Sequence, residues 1–172
     1  MKQHIISALV ENHAGMLSRI SGLFSRRAFN IDSLTVGETE DSTISRMTIA
    51  VTGDDAIIEQ IIKQIEKLVD VIVVRKLDPA SCMRREIMLM KIGADVKTRP
   101  AIIELAGIFR ARIIDVSAHT ITLEATGNTE KLNGLLFILS PYGILELART
   151  GLVSLERGDK IMSIEAEEED KT

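Results

Sequence analysis

The chain has 172 residues, 45% hydrophobic and 27% charged, a composition that excludes wholesale disorder and supplies enough apolar mass for a core. Its net charge of −4 sits at one end: residues 165–172 hold five acids and one lysine, and without them the chain carries 20 acidic and 20 basic residues. That neutral body, with 3% aromatic residues and no tryptophan, argues against nucleic-acid binding and leaves an acidic tail expected to be solvated and disordered.

Residues 5–10 form a β-branched run that stops at the polar turn Glu11-Asn12-His13-Ala14-Gly15, so they read as a strand and a loop. Leu17, Ile20, Leu23 and Phe24 recur at spacings of three and four, which predicts a helix from Met16 to near Ala28. Residues 31–36 read as a strand and 37–42 as a turn. Residues 45–51 follow as the antiparallel partner, with Met47, Ile49 and Val51 on one face. Thr52-Gly53-Asp54-Asp55 caps a second helix whose apolar face holds Ile57, Ile58, Ile61, Ile62, Ile65 and Leu68. A β-branched run over 69–77 closes the unit. The order β-α-β-β-α-β is that of a ferredoxin-like domain.

Asp78-Pro79-Ala80-Ser81 breaks the pattern, and the second half then repeats it. Residues 86–93 read as a strand, and a helix with Pro100 in its first turn carries Ile102, Leu105, Ala106 and Phe109. Residues 112–117 and 119–125 make a hairpin, Asn128 or Thr129 caps a helix with Leu132, Leu135, Leu136 and Leu139, and 144–148 close the sheet. Gly22-Leu23-Phe24 aligns with Gly107-Ile108-Phe109, and Ile31-Asp32-Ser33 with Ile114-Asp115-Val116. The fold class is therefore α+β, two tandem ferredoxin-like βαββαβ domains. The boundaries are residues 1–78 for the first domain, 79–85 for a linker, 86–160 for the second domain and 161–172 for the tail.

Catalytic chemistry finds little support. His4, His13 and His119 lie in different elements without metal-ligand spacing and read as surface or packing residues. No phosphate-binding glycine loop is present. Cys82 lies beside Arg84 and Arg85 but has no base within sequence reach, and reads as an incidental linker thiol. As the single cysteine it makes no internal disulfide, which suits a reducing cytoplasm. No apolar run reaches the roughly 18 residues of a membrane span, and the N-terminus lacks a signal-peptide pattern, so an unprocessed, soluble chain is expected. Arg157-Gly158-Asp159 reads as a glycine-containing turn, and no catalytic or metal-binding set is assigned.

The loop from Asn12 to Leu17 is the best candidate site. Gly15 leaves room for a ligand or another backbone, and a helix N-terminus presents free N–H groups that suit a carboxylate. Asn12 and Asn30 each offer an amide donor and a carbonyl acceptor, a pairing useful to a zwitterionic amino acid, with Leu17 and Ile31 as apolar wall. The same residues also suit a plain helix cap and chain turn.

The stretch Val10-Glu11-Asn12-His13-Ala14-Gly15-Met16-Leu17-Ser18-Arg19-Ile20 is followed by Gly22-Leu23-Phe24-Ser25-Arg26-Arg27 and Phe29-Asn30-Ile31-Asp32-Ser33-Leu34-Thr35-Val36. With Ser45-Arg46-Met47-Thr48-Ile49, Leu68-Val69-Asp70-Val71, Arg85-Glu86-Ile87-Met88-Leu89 and Arg157-Gly158-Asp159, it resembles the small regulatory subunit of acetolactate synthase. The resemblance spans nearly the whole chain. It implies that the first domain is an amino-acid-sensing ACT domain and that the chain is a homodimer without catalysis of its own. It further implies a partner, the large catalytic subunit, which uses thiamine diphosphate, Mg²⁺ and FAD, and which this chain activates and renders sensitive to valine, in some members leucine or isoleucine. The positions matching the family's effector contacts are Asn12, Gly15, Ser18 and Asn30, with Ala14, Met16, Leu17 and Ile31 as neighbours. The effector is expected between one chain's first loop and its partner's neighbouring elements. The equivalent turn of the second half, Ala94-Asp95-Val96-Lys97, lacks the pattern and is expected to hold no amino acid. A stand-alone ACT-type sensor for another enzyme is the alternative; a small ferredoxin-like enzyme and an RNA-binding sheet are less well supported.

Overall fold

The computed structural model describes residues 2–26 and 29–163. The chain divides into two compact units, one holding the residues up to Met83 together with a segment that begins at Leu152, the other holding Arg84–Gly151.

In the first unit β1 (Lys2–Glu11), α1 (Met16–Arg26), β2 (Ser33–Glu38), β3 (Ile44–Gly53), α2 (Asp55–Ile65) and β4 (Val71–Leu77) follow the expected order. The sheet order is β2-β3-β1-β4, antiparallel throughout, with Ile6 opposite Ile49 and Leu34 opposite Ile49 on its other side. Alternation then puts Ile6, Ala8 and Val10 with Met47, Ile49 and Val51 on one face. There they pack against Ile20, Leu23 and Phe24 of α1 and Ile58, Ile61 and Ile65 of α2. Asp54 caps α2, its Oδ1 accepting from the Ile57 amide at 2.9 Å. The expected end of α1 near Ala28 lies outside the described residues.

Some boundaries differ from the sequence reading. The second strand begins at Ser33 and runs on to Glu38, because the turn is built later: Asp41 Oδ1 accepts from the Thr43 amide at 2.9 Å and its hydroxyl at 2.6 Å. Those two bonds hold the Asp41 carboxyl below its ordinary pKa. Leu68 packs on the core from beyond the end of α2, and Val69, expected in a strand, stands 93% exposed in the turn before β4.

The second unit contains most of β5 (Cys82–Gly93), then α3 (Arg99–Ile108), β6 (Arg112–Val116), β7 (Thr120–Gly127), α4 (Thr129–Leu139), a short 3₁₀ turn (Ser140–Tyr142) and β8 (Ile144–Arg149). Its sheet order, β6-β7-β5-β8, repeats that of the first unit. Met88, Met90 and Ile92 with Ile121, Leu123 and Ala125 face the helices. Asn128 caps α4 through the Lys131 amide at 3.0 Å. Glu86 is buried and pairs with Arg149 Nε at 2.5 Å while accepting the Thr129 hydroxyl, which ties the start of α4 to two strands. The element order repeats, but the letter matches do not superpose in role: Leu23 is buried within α1, whereas Ile108 ends α3 and is 68% exposed.

The segment after Leu152 is the main departure from the expected boundaries. Residues 152–160, expected in the second domain, and 161–163, expected in the tail, lie in the first unit. β9 (Val153–Glu156) runs beside the first residues of β5. Leu152 closes a small cluster with Ile5, Leu77 and Cys82, and Met162 another with Leu9 and Val73, covering the sheet face opposite the helices. Polar pins accompany them: Ser154 Oγ to the Met83 carbonyl at 2.8 Å, the Arg157 amide to the Ser81 carbonyl at 2.9 Å, and Arg75 to the Ile161 carbonyl at 3.3 Å. Cys82, expected in a linker, is a buried strand residue. Gly158 turns the chain with φ +72°, as the Arg-Gly-Asp reading anticipated. Residues 165–172 lie outside the described residues. Among the described residues no helix is long and apolar enough to cross a membrane.

Candidate functional site

β1 delivers the chain to the loop at Glu11. The Asn12 amide donates to the Thr43 carbonyl at 2.7 Å, and its side-chain Nδ2 donates to the Ser42 carbonyl at 2.9 Å and to Glu38 Oε1 at 3.1 Å. Both side-chain hydrogens are thereby directed into the β2–β3 hairpin, so what Asn12 has left for a ligand is its carbonyl oxygen, an acceptor suited to an ammonium group. Gly15 adopts φ +93°, a region L side chains avoid, and a Cβ there would meet nothing within 4 Å. The turn leads straight into α1. The Leu17 and Ser18 amides have no acceptor among the described residues, leaving two donors at the positive end of the helix.

The expected site residues divide. Ala14, Gly15, Leu17 and Ser18 are exposed at the loop and first helical turn, with Leu17 half-exposed. Met16 is buried in the core and anchors the helix from within. Asn30 and Ile31 stand elsewhere: the Asp32 amide bonds the Ala50 carbonyl, whereas the loop abuts Thr43, so the two groups occupy opposite ends of the sheet. The six residue steps along β3 from Ile44 to Ala50 put about 20 Å between them. Asn30 Nδ2 donates to Asp32 Oδ1 at 3.3 Å, and Ile31 packs on the core edge.

The structure adds residues that sequence reading missed. His13 Nε2 lies 3.0 Å from Asp70 Oδ1, its Nδ1 3.1 Å from the Ala14 carbonyl, and Glu11 Oε2 is 3.7 Å from the ring. Arg19 of α1 pairs with the other Asp70 oxygen. The Ala14 carbonyl and then the Asp70 carboxylate raise the His13 pKa, and the bond from His13, helped by the charge of Arg19, lowers that of Asp70. One oxygen of Glu11, a nitrogen of His13 and one oxygen of Asp70 lie within 4.8 Å of one another, and Arg19 supplies the positive charge that this acidic corner needs. His13 and Asp70 are 57 positions apart. The one hint in sequence was an acid inside the apolar run 68–74.

The profile of the AHAS small subunit-like ACT domain matches residues 6–73, and that of the small subunit of acetolactate synthase matches residues 85–158. A probable acetolactate synthase small subunit of Methanothermobacter thermautotrophicus is 51% identical over 92% of this chain and 95% of its own. The chain belongs to the acetolactate synthase small-subunit family. An acetolactate synthase small subunit of Mycolicibacterium smegmatis is 50% identical over 91% of this chain and 92% of its own. The crystal structure of the small subunit from Thermotoga maritima superposes with a TM-score of 0.88 at 41% identity, covering 93% of this chain and all of that one. As a small-subunit chain, its first unit is an ACT domain, and the β1–α1 loop is that domain's first connection.

Proposed function

We propose that this chain is the regulatory partner of an acetolactate synthase catalytic subunit, raising that subunit's activity and making it sensitive to valine bound at an ACT–ACT dimer interface. The observation that carries the amino-acid site is the pair of Leu17 and Ser18 amides, which have no acceptor among the described residues, behind the positive-φ Gly15: a receptor for a carboxylate, with the Asn12 side-chain oxygen of the same loop for the ammonium group. The thiamine diphosphate, Mg²⁺ and FAD belong, on this reading, to the catalytic partner.

A dimer also accounts for Asn30. Among the described residues β2 is an edge strand, paired with β3 alone and carrying a 43% exposed Val36. Antiparallel pairing of two β2 edges sets the Asn30 end of one copy against the Glu38 end of the other, and Glu38 already holds Asn12. Each site would then draw its loop from one copy and its Asn30 from the other. The amino acid can alter activity only through a difference in affinity between two states, and coupling of roughly 1–3 kcal/mol corresponds to about 5- to 150-fold. The deciding assay is acetolactate formation by the cognate large subunit, with and without this chain, across a valine titration. Activation followed by valine inhibition is expected. Absence of both would remove this reading in favour of an ACT-type sensor for another enzyme.

A further inference from the structure

The β1–α1 loop is tied down by a residue that lies outside the expected amino-acid contacts. Both ring nitrogens of His13 face acceptors, Nδ1 the Ala14 carbonyl at 3.1 Å and Nε2 the Asp70 carboxylate at 3.0 Å. A neutral imidazole has one N–H, so either tautomer sets a lone pair against one of these oxygens; only the imidazolium donates to both. Asp70 in turn holds Arg19 through its second oxygen and receives the Glu11 amide on its carbonyl at 2.9 Å. From the turn before β4 it therefore grips the end of β1, the loop and α1 together. The charged groups acting on the ring are Asp70 and Glu11, with Arg19 reaching the same carboxylate from α1.

We propose that His13 and Asp70 form a proton-operated latch that positions the amino-acid site: charged, His13 holds the loop in the geometry described; neutral, it frees the loop and amino-acid affinity falls. The proposal rests on the reading of this loop as the effector site. Asp70 is a positioning residue in it. The acceptors that grip the ring also hold its pKa above the ordinary value, so the latch is complete below about pH 6.5 and is lost as pH rises through the raised value.

The test is calorimetric titration of valine into the full chain from about pH 6 to about pH 8, with His13 followed by NMR without valine. Wild-type affinity should weaken by about 3- to 10-fold across that range, while His13→Gln, an exposed change that leaves the core alone, should bind with a flat profile. In Asp70→Asn the His13 titration should fall back toward about 6.5. A flat wild-type profile, a His13→Gln profile that still follows the wild type, or a wild-type His13 titrating at the ordinary value would each overturn the latch. Valine binding at no pH, with His13 still titrating high, would overturn the effector reading and the latch's role with it, and would leave the His13–Asp70 coupling supported.

Discussion

Leu152→Ala tests whether the returning segment is part of the first unit's core. Leu152 is buried against Ile5, Leu77 and Cys82, and truncation to alanine removes most of its apolar contact with all three. Buried Leu→Ala changes cost about 2–5 kcal/mol, and a four-residue cluster beneath a single covering segment can settle partly, which favours the lower half, about 2–3 kcal/mol. Against a domain stability of roughly 5–15 kcal/mol that is a large fraction. In a chain of this size it lowers Tm by about 4–12 °C. The same change should uncover Cys82, so thiol labelling under native conditions should accelerate in parallel with the loss measured by urea unfolding. Val153→Ala, one residue on and exposed, is the control and should stay within about 0.5 kcal/mol. A chain lacking residues 165–172, which lie outside the described residues, should match the full chain in stability and valine response. A Leu152→Ala cost below about 0.5 kcal/mol, with Cys82 labelling unchanged, would refute the reasoning.

Two further changes separate effects at other places. Gly15→Ala imposes only the backbone strain of φ +93°, about 1–2 kcal/mol, and should weaken valine binding while keeping it measurable; Gly15→Asp adds a carboxylate to the loop that leads to the Leu17 and Ser18 amides and should abolish it. Equal binding by both variants in a calorimetric titration would remove the carboxylate receptor from this loop. In the second unit, Arg149→Met strips the buried Glu86 of its ion-pair partner and should cost about 2–4 kcal/mol in denaturant unfolding, with Arg149→Lys recovering part. No loss in Arg149→Met would mean that the pair does not hold α4 to its strands.

The alternation of Met47, Ile49 and Val51 and the helical spacing of Ile20, Leu23 and Phe24 were legible because each follows from one local period, and the structure buries all six. The readings that failed involved competition between local pattern and distant partners. Val69 continues a β-branched run, yet the chain turns there so that Asp70 can meet His13 and Arg19. Residues 152–163 follow directly on the second unit's pattern in sequence, and the partners that claim them, Ile5 and Leu9, stand in β1, about 150 positions earlier. At the candidate site, the glycine turn and helix start were readable from Asn12 to Ser18, whereas the register that sends Asn30 to the far end of the sheet is a property of strand pairing that no local motif encodes.

The discontinuity of the first unit also orders events in time. During synthesis β1 through β4 leave the ribosome long before Leu152 and Met162, so one face of the ACT sheet, with Ile5, Leu9, Val73 and Leu77, must wait for its cover until the second unit has been made. The last part of the ACT unit to fold is therefore translated only after the whole second unit. A ribosome stalled in the second unit carries a nascent chain whose first sheet is paired but half-clad, the form most apt to recruit a chaperone or a neighbouring nascent chain.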